Sequence, residues 1–459
     1  IVLLAVVEHP DMPKGMLGIQ GFSPWNILML FVVMGWANAR KKEGLSWDMP
    51  RKFNWLLLFY IFFLILSFIR LEFRMDDLII ANAEVGTEAP TYMSLFSEYV
   101  INTFKWLVPA VLLYDGCRSE ERYRWAIISL LAIYFFLAVQ VIRWMPLSAI
   151  GGGDGLTERS LKILSKEVGY HRVNLSMMLA GAFWAVVSYS LVVKDSSNRK
   201  YIYLAALVVL AGQALTGGRT GYGTWAIITM LMAMLKWRKL LFLGPVLAIL
   251  VVSFVPAVQE RLFQGFGGND IDVNSSVEST QDDGGDGPHW YTVTAGRNIA
   301  WPFVIDKISE SPFIGYGRDA MKTEGIMSFL FVNYNENFPH PHNAYLQWTL
   351  DNGVFALIIV LWFYYAIIKM SISLFKDPRN GVFSCIGGIT LSLVAALLIA
   401  SIGSQTFYPR EGAVGMWCAM AIMLRVYVQR SKNDKRIDEL VRNGSDKEIN
   451  DLQKIIWEK

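Results

Sequence analysis

The feature that most constrains this chain is a succession of apolar runs, each long enough to cross about 30 Å of hydrocarbon. They fall at roughly 24–39, 53–71, 99–114, 125–145, 173–193, 200–216, 221–236, 240–257, 351–369, 382–404 and 411–428. Lipid offers no partner to a backbone N–H or C=O, so runs of this length cross as helices. The chain opens inside another run, Ile1–Val7, read here as the end of a truncated first span, which brings the count to about twelve. Charged residues make up 18% of the chain, against about 25% in soluble domains, and the deficit is concentrated in these runs. The expected fold is therefore all-α: a polytopic membrane helix bundle of about 12 spans with one large, partly helical extracytoplasmic loop. Residues 1–256 would carry spans 1–9, residues 257–343 the loop, residues 344–430 spans 10–12, and residues 431–459 a tail.

Lys and Arg set the orientation, because they accumulate on the cytoplasmic side. Arg40, Lys41, Lys42, Arg51 and Lys52 fill one connection, and Arg118, Arg122 and Arg124 the next but one. Lys194, Arg199 and Lys200 follow, then Lys236, Arg238 and Lys239, then Lys369, Lys376 and Arg379, then the tail from Arg425 to Arg436. Every second connection is basic, which twelve spans with both termini cytoplasmic satisfy. The tail beyond Val428 is read either as a helix on the membrane surface or a partner, or as a frayed end. Basic residues follow no single face, so nucleic acid is excluded as a partner. Cys117, Cys385 and Cys418 have no zinc spacing and no evident disulfide pairing.

The loop between 257 and 343 holds twelve acidic residues against five basic ones. Its front, with the acidic Gly-rich stretch 265–287, suits a flexible cover. Its back half regains apolar residues in helical spacing (Ile299, Trp301, Phe303, Val304, Ile308) before a Pro-Phe-Ile-Gly-Tyr-Gly turn at 312–317. Arg297 stands out against the acidic background, and the loop closes on Pro339-His340-Pro341-His342-Asn343-Ala344-Tyr345. His340 and His342 lie on extended backbone, where side chains two apart with interleaved prolines are expected to point different ways. No carboxylate pair, HExxH or Cys accompanies them, so neither a metal nor a cofactor is expected.

A second arginine sits where the charge rule does not want one. Leu215-Thr216-Gly217-Gly218-Arg219-Thr220-Gly221 is a short turn on the same outer side, and Arg219 opens the next helix. Glycine-exposed N–H groups, a helix N-terminus and a guanidinium make a ready anion site. The alternative is an interfacial arginine snorkelling to lipid phosphate. Two outward arginines beside a histidine suit a polyprenyl-diphosphate sugar donor, whose tail lies in lipid and whose diphosphate lies at the interface. Arginine binds such oxygens bidentately and keeps its charge near lipid. A neutral histidine can take the proton of an attacking hydroxyl.

The Leu215–Gly221 turn, Gly296-Arg297, the Pro312–Gly317 turn, and His342-Asn343-Ala344-Tyr345-Leu346 followed by Gly353 together resemble the O-antigen ligase and O-antigen polymerase superfamily of integral-membrane glycan transferases. The resemblance implies a GT-C-like fold in the bacterial inner membrane, with the active site facing the periplasm. It also implies metal-independent transfer of a glycan from undecaprenyl diphosphate to a hydroxyl of a lipid-linked, lipid A-core or protein acceptor. Arg219 and Arg297 would bind the diphosphate and His342 would act as base or acceptor-positioning residue. Arg172, Asn343, Tyr345, Asp351 and His340 are further candidates at the substrate. For three of them a structural role stands beside it: interfacial anchor for Arg172, cap of the next span for Asp351, and a purely structural part for His340. A protein O-oligosaccharyltransferase of the same fold is the near alternative. A secondary transporter is the alternative from another class, although few ionisable residues fall mid-span as transport would need.

Overall fold

The computed structural model describes residues 1–16, 19–20, 22–145, 153–242, 244, 253, 259, 290–403 and 405–442. The expected span 240–257, the acidic stretch 265–287, His289 and the tail beyond 442 lie almost entirely outside them. Among the described residues the architecture is all-α apart from one antiparallel pair of two-residue strands, β1 (Gly15–Met16) and β2 (Ile19–Gln20).

The helices are α1 (Pro24–Lys42), α2 (Arg51–Glu72), α3 (Met75–Glu84), α4 (Tyr92–Phe96), α5 (Asn102–Gly116), α6 (Glu120–Trp144) and α7 (Gly153–Ile163). They continue with α8 (Arg172–Tyr189), α9 (Ser196–Leu215), α10 (Arg219–Leu235), α11 (Trp290–Thr294) and α12 (Arg297–Glu310). The last are α13 (Ala320–Thr323), α14 (Ile326–Tyr334), α15 (Ala344–Phe375), α16 (Gly381–Ala400) and α17 (Val414–Arg442). Among the described residues five stretches are long and apolar enough to cross a membrane: α2, α6, α15, α16 and the helical stretch Glu411–Glu439, which overlaps most of α17. The apolar run at the start does not continue as a helix; Val2–Ala5 is a single 3-10 turn packed on α6.

Side-chain caps start many of these helices where the sequence turns polar. Ser23, Ser119, Asp195 and Asn380 each accept a backbone N–H of the first turn, satisfying donors that lipid could not. The core runs through α16, nearly every residue of which is buried between α8, α15 and α17. Lipid is as apolar as leucine, so such a helix is held by close packing rather than by escape from water. At one end of the bundle the charges are paired. Arg425 is 1% exposed, lies over the Tyr114 ring at 4.2 Å and donates to both carboxylate oxygens of Asp48 at 2.9 and 2.6 Å. Lys236 donates to the Phe375 carbonyl at 2.9 Å at this same end.

At the opposite end α15 is broken. The break is centred on Gly353, with φ 82° and ψ 170°. The Pro312–Gly317 turn fills the break: Tyr316 N–H donates to Leu350 O at 2.9 Å, Gly317 N–H to Asp351 O at 2.8 Å, and Val354 N–H to Pro312 O at 2.8 Å. Two backbones approach this closely only where side chains are missing. A Cβ on Gly353 would lie 2.0 Å from Phe313 O, and one on Gly315 would lie 2.6 Å from Leu350 O.

Candidate active site

The site forms where α8, α10, α12 and α15 begin and α16 ends. Glycines bring α10 against α8: a Cβ on Gly218 or Gly221 would meet the Ser176 hydroxyl at 2.8 or 1.7 Å. Ser176 lies one turn along α8 from Arg172, so Arg219 at the start of α10 comes beside Arg172, and the two bear on one another electrostatically. Arg172 Nε and Nη1 are buried, and among the described residues no hydrogen-bond partner faces them. That is an arrangement a protein tolerates where an anion is to bind.

Arg297 reaches the same place from the loop. Ala295 and Gly296 are both left-handed, φ 51° and 73°, and turn the chain into α12 with Arg297 as its first residue. Its Nη2 donates to the Gly403 carbonyl at the end of α16. Gly403 in turn lies so near Thr220 that a Cβ on it would meet that side chain at 2.8 Å. Burial first, and the charge of Arg219 second, push the Arg297 guanidinium below its usual range. Three arginines from three separate elements thus share one end of the bundle.

His342 is tied to Arg297 by two contacts. Trp301 of α12 donates its indole N–H to Pro341 O at 2.9 Å. Phe338 lies against Gly296 on one side and edge-on to the His342 ring at 5.6 Å on the other. His342 itself has φ 52°, a left-handed conformation open to few residues with a side chain. This overturns the expectation that His340 and His342 point apart: the left-handed residue swings the rings together, to 4.2 Å between centroids. Burial, then the charges of Arg297 and His171, lower the His342 pKa to about 4. Burial, then His342, Arg410, Lys322 and Arg318, lower that of His340 to about 3. Both rings are therefore neutral at pH 7. Among the described residues no group of three or more metal-ligating side chains occurs.

A cavity of about 580 Å³ opens at Arg297, lined also by Thr220, Thr224, Asn298 and Trp301 and by the apolar Ile227, Ile399 and Ile402. A ligand with a charged head and an aliphatic tail matches that mixed lining.

The remaining candidates are placed as follows. Asn343 caps α15, accepting from Tyr345 N–H at 3.0 Å and Leu346 N–H at 3.2 Å. Tyr345 donates to Leu398 O at 2.8 Å, tying α15 to the end of α16. Asp351 accepts from the Tyr408 hydroxyl at 2.8 Å and from Ala320 N–H at 3.3 Å, so its side chain serves α13 rather than the span that follows it. Sequence reasoning passed over Arg318, which is 5% exposed and held between the rings of Tyr99 and Tyr408 at 4.5 and 3.2 Å. It also passed over Trp301 and Phe338 as the contacts that bring loop and histidine together. No motif marks these residues; they are visible only once the fold brings distant segments into contact.

Residues 204–361 match the family model of the O-antigen ligases, a stretch that includes Arg219, Arg297, His340, His342 and Asp351. Two curated proteins, one of Rickettsia felis and one of Rickettsia conorii, both named as a "Putative polysaccharide ligase", are each 38% identical to this chain over 80 residues. That stretch is 16% of this chain, and the chain spans about one fifth of the length of these curated relatives.

Proposed function

We propose that this protein is a membrane glycosyltransferase of the O-antigen ligase type, moving a glycan from an undecaprenyl-diphosphate carrier to an acceptor hydroxyl on the periplasmic side of the inner membrane. The observation that carries the reading is the convergence of Arg172, Arg219 and Arg297 beside a neutral His342, with Arg297 lining a cavity shared with Ile227, Ile399 and Ile402. The family match over 204–361 supports it.

The chemistry follows from the charges. The arginines hold the diphosphate oxygens, with the polyprenyl tail along Ile227, Ile399 and Ile402. The acceptor oxygen attacks the anomeric carbon of the donor sugar while its proton passes to the His342 ring. The bond from that carbon to the diphosphate oxygen breaks, and its electron pair leaves with undecaprenyl diphosphate, where the guanidinium groups stabilise the added charge. Attack opposite the leaving group inverts the anomeric centre. A ring with a pKa of about 4 is a weak base at neutral pH. The arriving diphosphate supplies the negative charge that offsets Arg297, so donor binding itself raises the basicity of His342.

The test is transfer from a lipid-linked glycan donor by the purified protein in nanodiscs, with Arg219→Ala, Arg297→Ala and His342→Asn compared with wild type. Loss of transfer in all three supports the reading. Full activity in the His342 and Arg219 variants overturns it, and substrate flux across vesicles without transfer favours a transporter.

A further inference from the structure

The back half of the large loop carries an apolar surface that the proposed chemistry does not use. Helix α14 reads Ile-Met-Ser-Phe-Leu-Phe-Val-Asn-Tyr and has no charged residue. One face, with Ile326 and Leu330, is buried against Ala300, Val304 and Phe338. The other leaves Val332 75% exposed, with Phe329 and Tyr334 exposed beside it. A helix apolar on both faces belongs in a protein core or in lipid, and among the described residues its outer face is only partly covered, by the Phe303 ring beside Phe329 and Tyr334.

The surroundings say which. The Pro312–Gly317 turn exposes Phe313 and Ile314, and the Phe313 ring stacks at 5.4 Å on Phe355. Phe355 is itself exposed, on α15 just beyond the Gly353 break, where the span turns an apolar face outward through Ile358 and Trp362. The turn is also pinned to the end of α2: Arg70 donates to Ile314 O and to Gly315 O, each at 2.5 Å. One turn further on, Arg74 donates to Thr323 O at 2.9 Å and pairs with Glu324, two residues before α14 begins. The Phe313–Ile314 turn thus adjoins the outward face of α15 and the end of α2, two helices long enough to cross the membrane. The residues leading into α14 are tied to Arg74, just past the end of α2.

We propose that α14 and the Phe313–Ile314 turn are immersed in the outer leaflet of the bilayer, as an interfacial element whose occupant is lipid. Such helices lie along the boundary between headgroups and acyl chains. Because the buried face of α14 packs on Phe338, and Phe338 backs His342, the leaflet holds the wall behind the histidine in place. The inference does not depend on the glycan-transfer reading, and its test measures no activity.

Val332→Cys and Phe329→Cys, made separately in the full chain, are labelled with an environment-sensitive fluorophore and placed in nanodiscs. The native Cys117, Cys385 and Cys418 are buried and leave the label specific. Trp362→Cys serves as the lipid-facing reference and Ser309→Cys as the aqueous one. Quenching by nitroxide-labelled lipid at the level of the Trp362 reference, with protection from aqueous iodide, is the result expected at both positions. Iodide quenching equal to that at Ser309 overturns the proposal. Protection from both quenchers also overturns it, since a second copy or another protein would then cover the face.

Discussion

His342 offers the sharpest test, because its backbone and its ring can be perturbed separately. At φ 52° an alanine is strained by about 1–2 kcal/mol, whereas asparagine adopts this region readily. Either replacement forfeits the ring contacts to His340 at 4.2 Å and Phe338 at 5.6 Å, worth about 0.5–1.5 kcal/mol. His342→Asn should therefore cost about 1 kcal/mol of stability, and His342→Ala a further 1–2 kcal/mol. Activity follows a different scale. A positioned base contributes about 10²–10⁴-fold, so both variants should lose transfer by that factor while the donor KM stays within a few-fold. Thermal unfolding in detergent, followed by tryptophan fluorescence, reads the first effect. The initial rate of glycan transfer from a lipid-linked donor reads the second. An asparagine variant within threefold of the wild-type rate would refute the assignment of His342 as base, and equal stability of the two variants would refute the backbone argument.

Three further outcomes follow from the same geometry. Arg297→Lys keeps the charge but loses the planar fork, and kcat/KM for the donor should fall about 10–100-fold; an unchanged value would show that Arg297 does not grip the diphosphate. The depressed pKa of His342 keeps the free enzyme's base neutral down to about pH 4, so the acid limb of kcat/KM should lie low. Bound diphosphate raises the pKa, so the acid limb of kcat should lie at higher pH, and coincident limbs would exclude donor-assisted basicity. Gly353→Ala places a Cβ 2.0 Å from Phe313 O at φ 82°. Unfolding should come earlier by at least the 1–3 kcal/mol that a strained backbone position costs, and an unshifted transition would mean that the break is not held as described.

Much of this was legible in the chain. The apolar runs at 53–71, 125–145 and 382–404 coincide with α2, α6 and α16 because lipid permits a run of that length little other than a helix. Arg219 stood out in the sequence as a basic residue on the side the charge rule leaves poor in them, and Arg297 as one against an acidic background. The relation between His340 and His342 was misread, since spacing arguments assume extended backbone and one left-handed residue reverses the result. Arg318 was invisible for another reason: Tyr99 and Tyr408, which hold it, lie more than two hundred residues upstream and ninety downstream. The serving of α13 by Asp351 is of the same kind. Local sequence shows which residues can carry charge or break a helix, but not which distant segment will meet them.

The turn lodged in the α15 break has a mechanical consequence. Its three backbone hydrogen bonds to Leu350, Asp351 and Val354 are joined by the two that Arg70 makes to it from α2, so the back half of the loop is riveted to two long helices. It cannot swing away as a hatch without tearing all five at once. Under the proposed function, a lipid-borne glycan would therefore have to reach the cavity beside Ile227, Ile399 and Ile402 with this half of the loop in place.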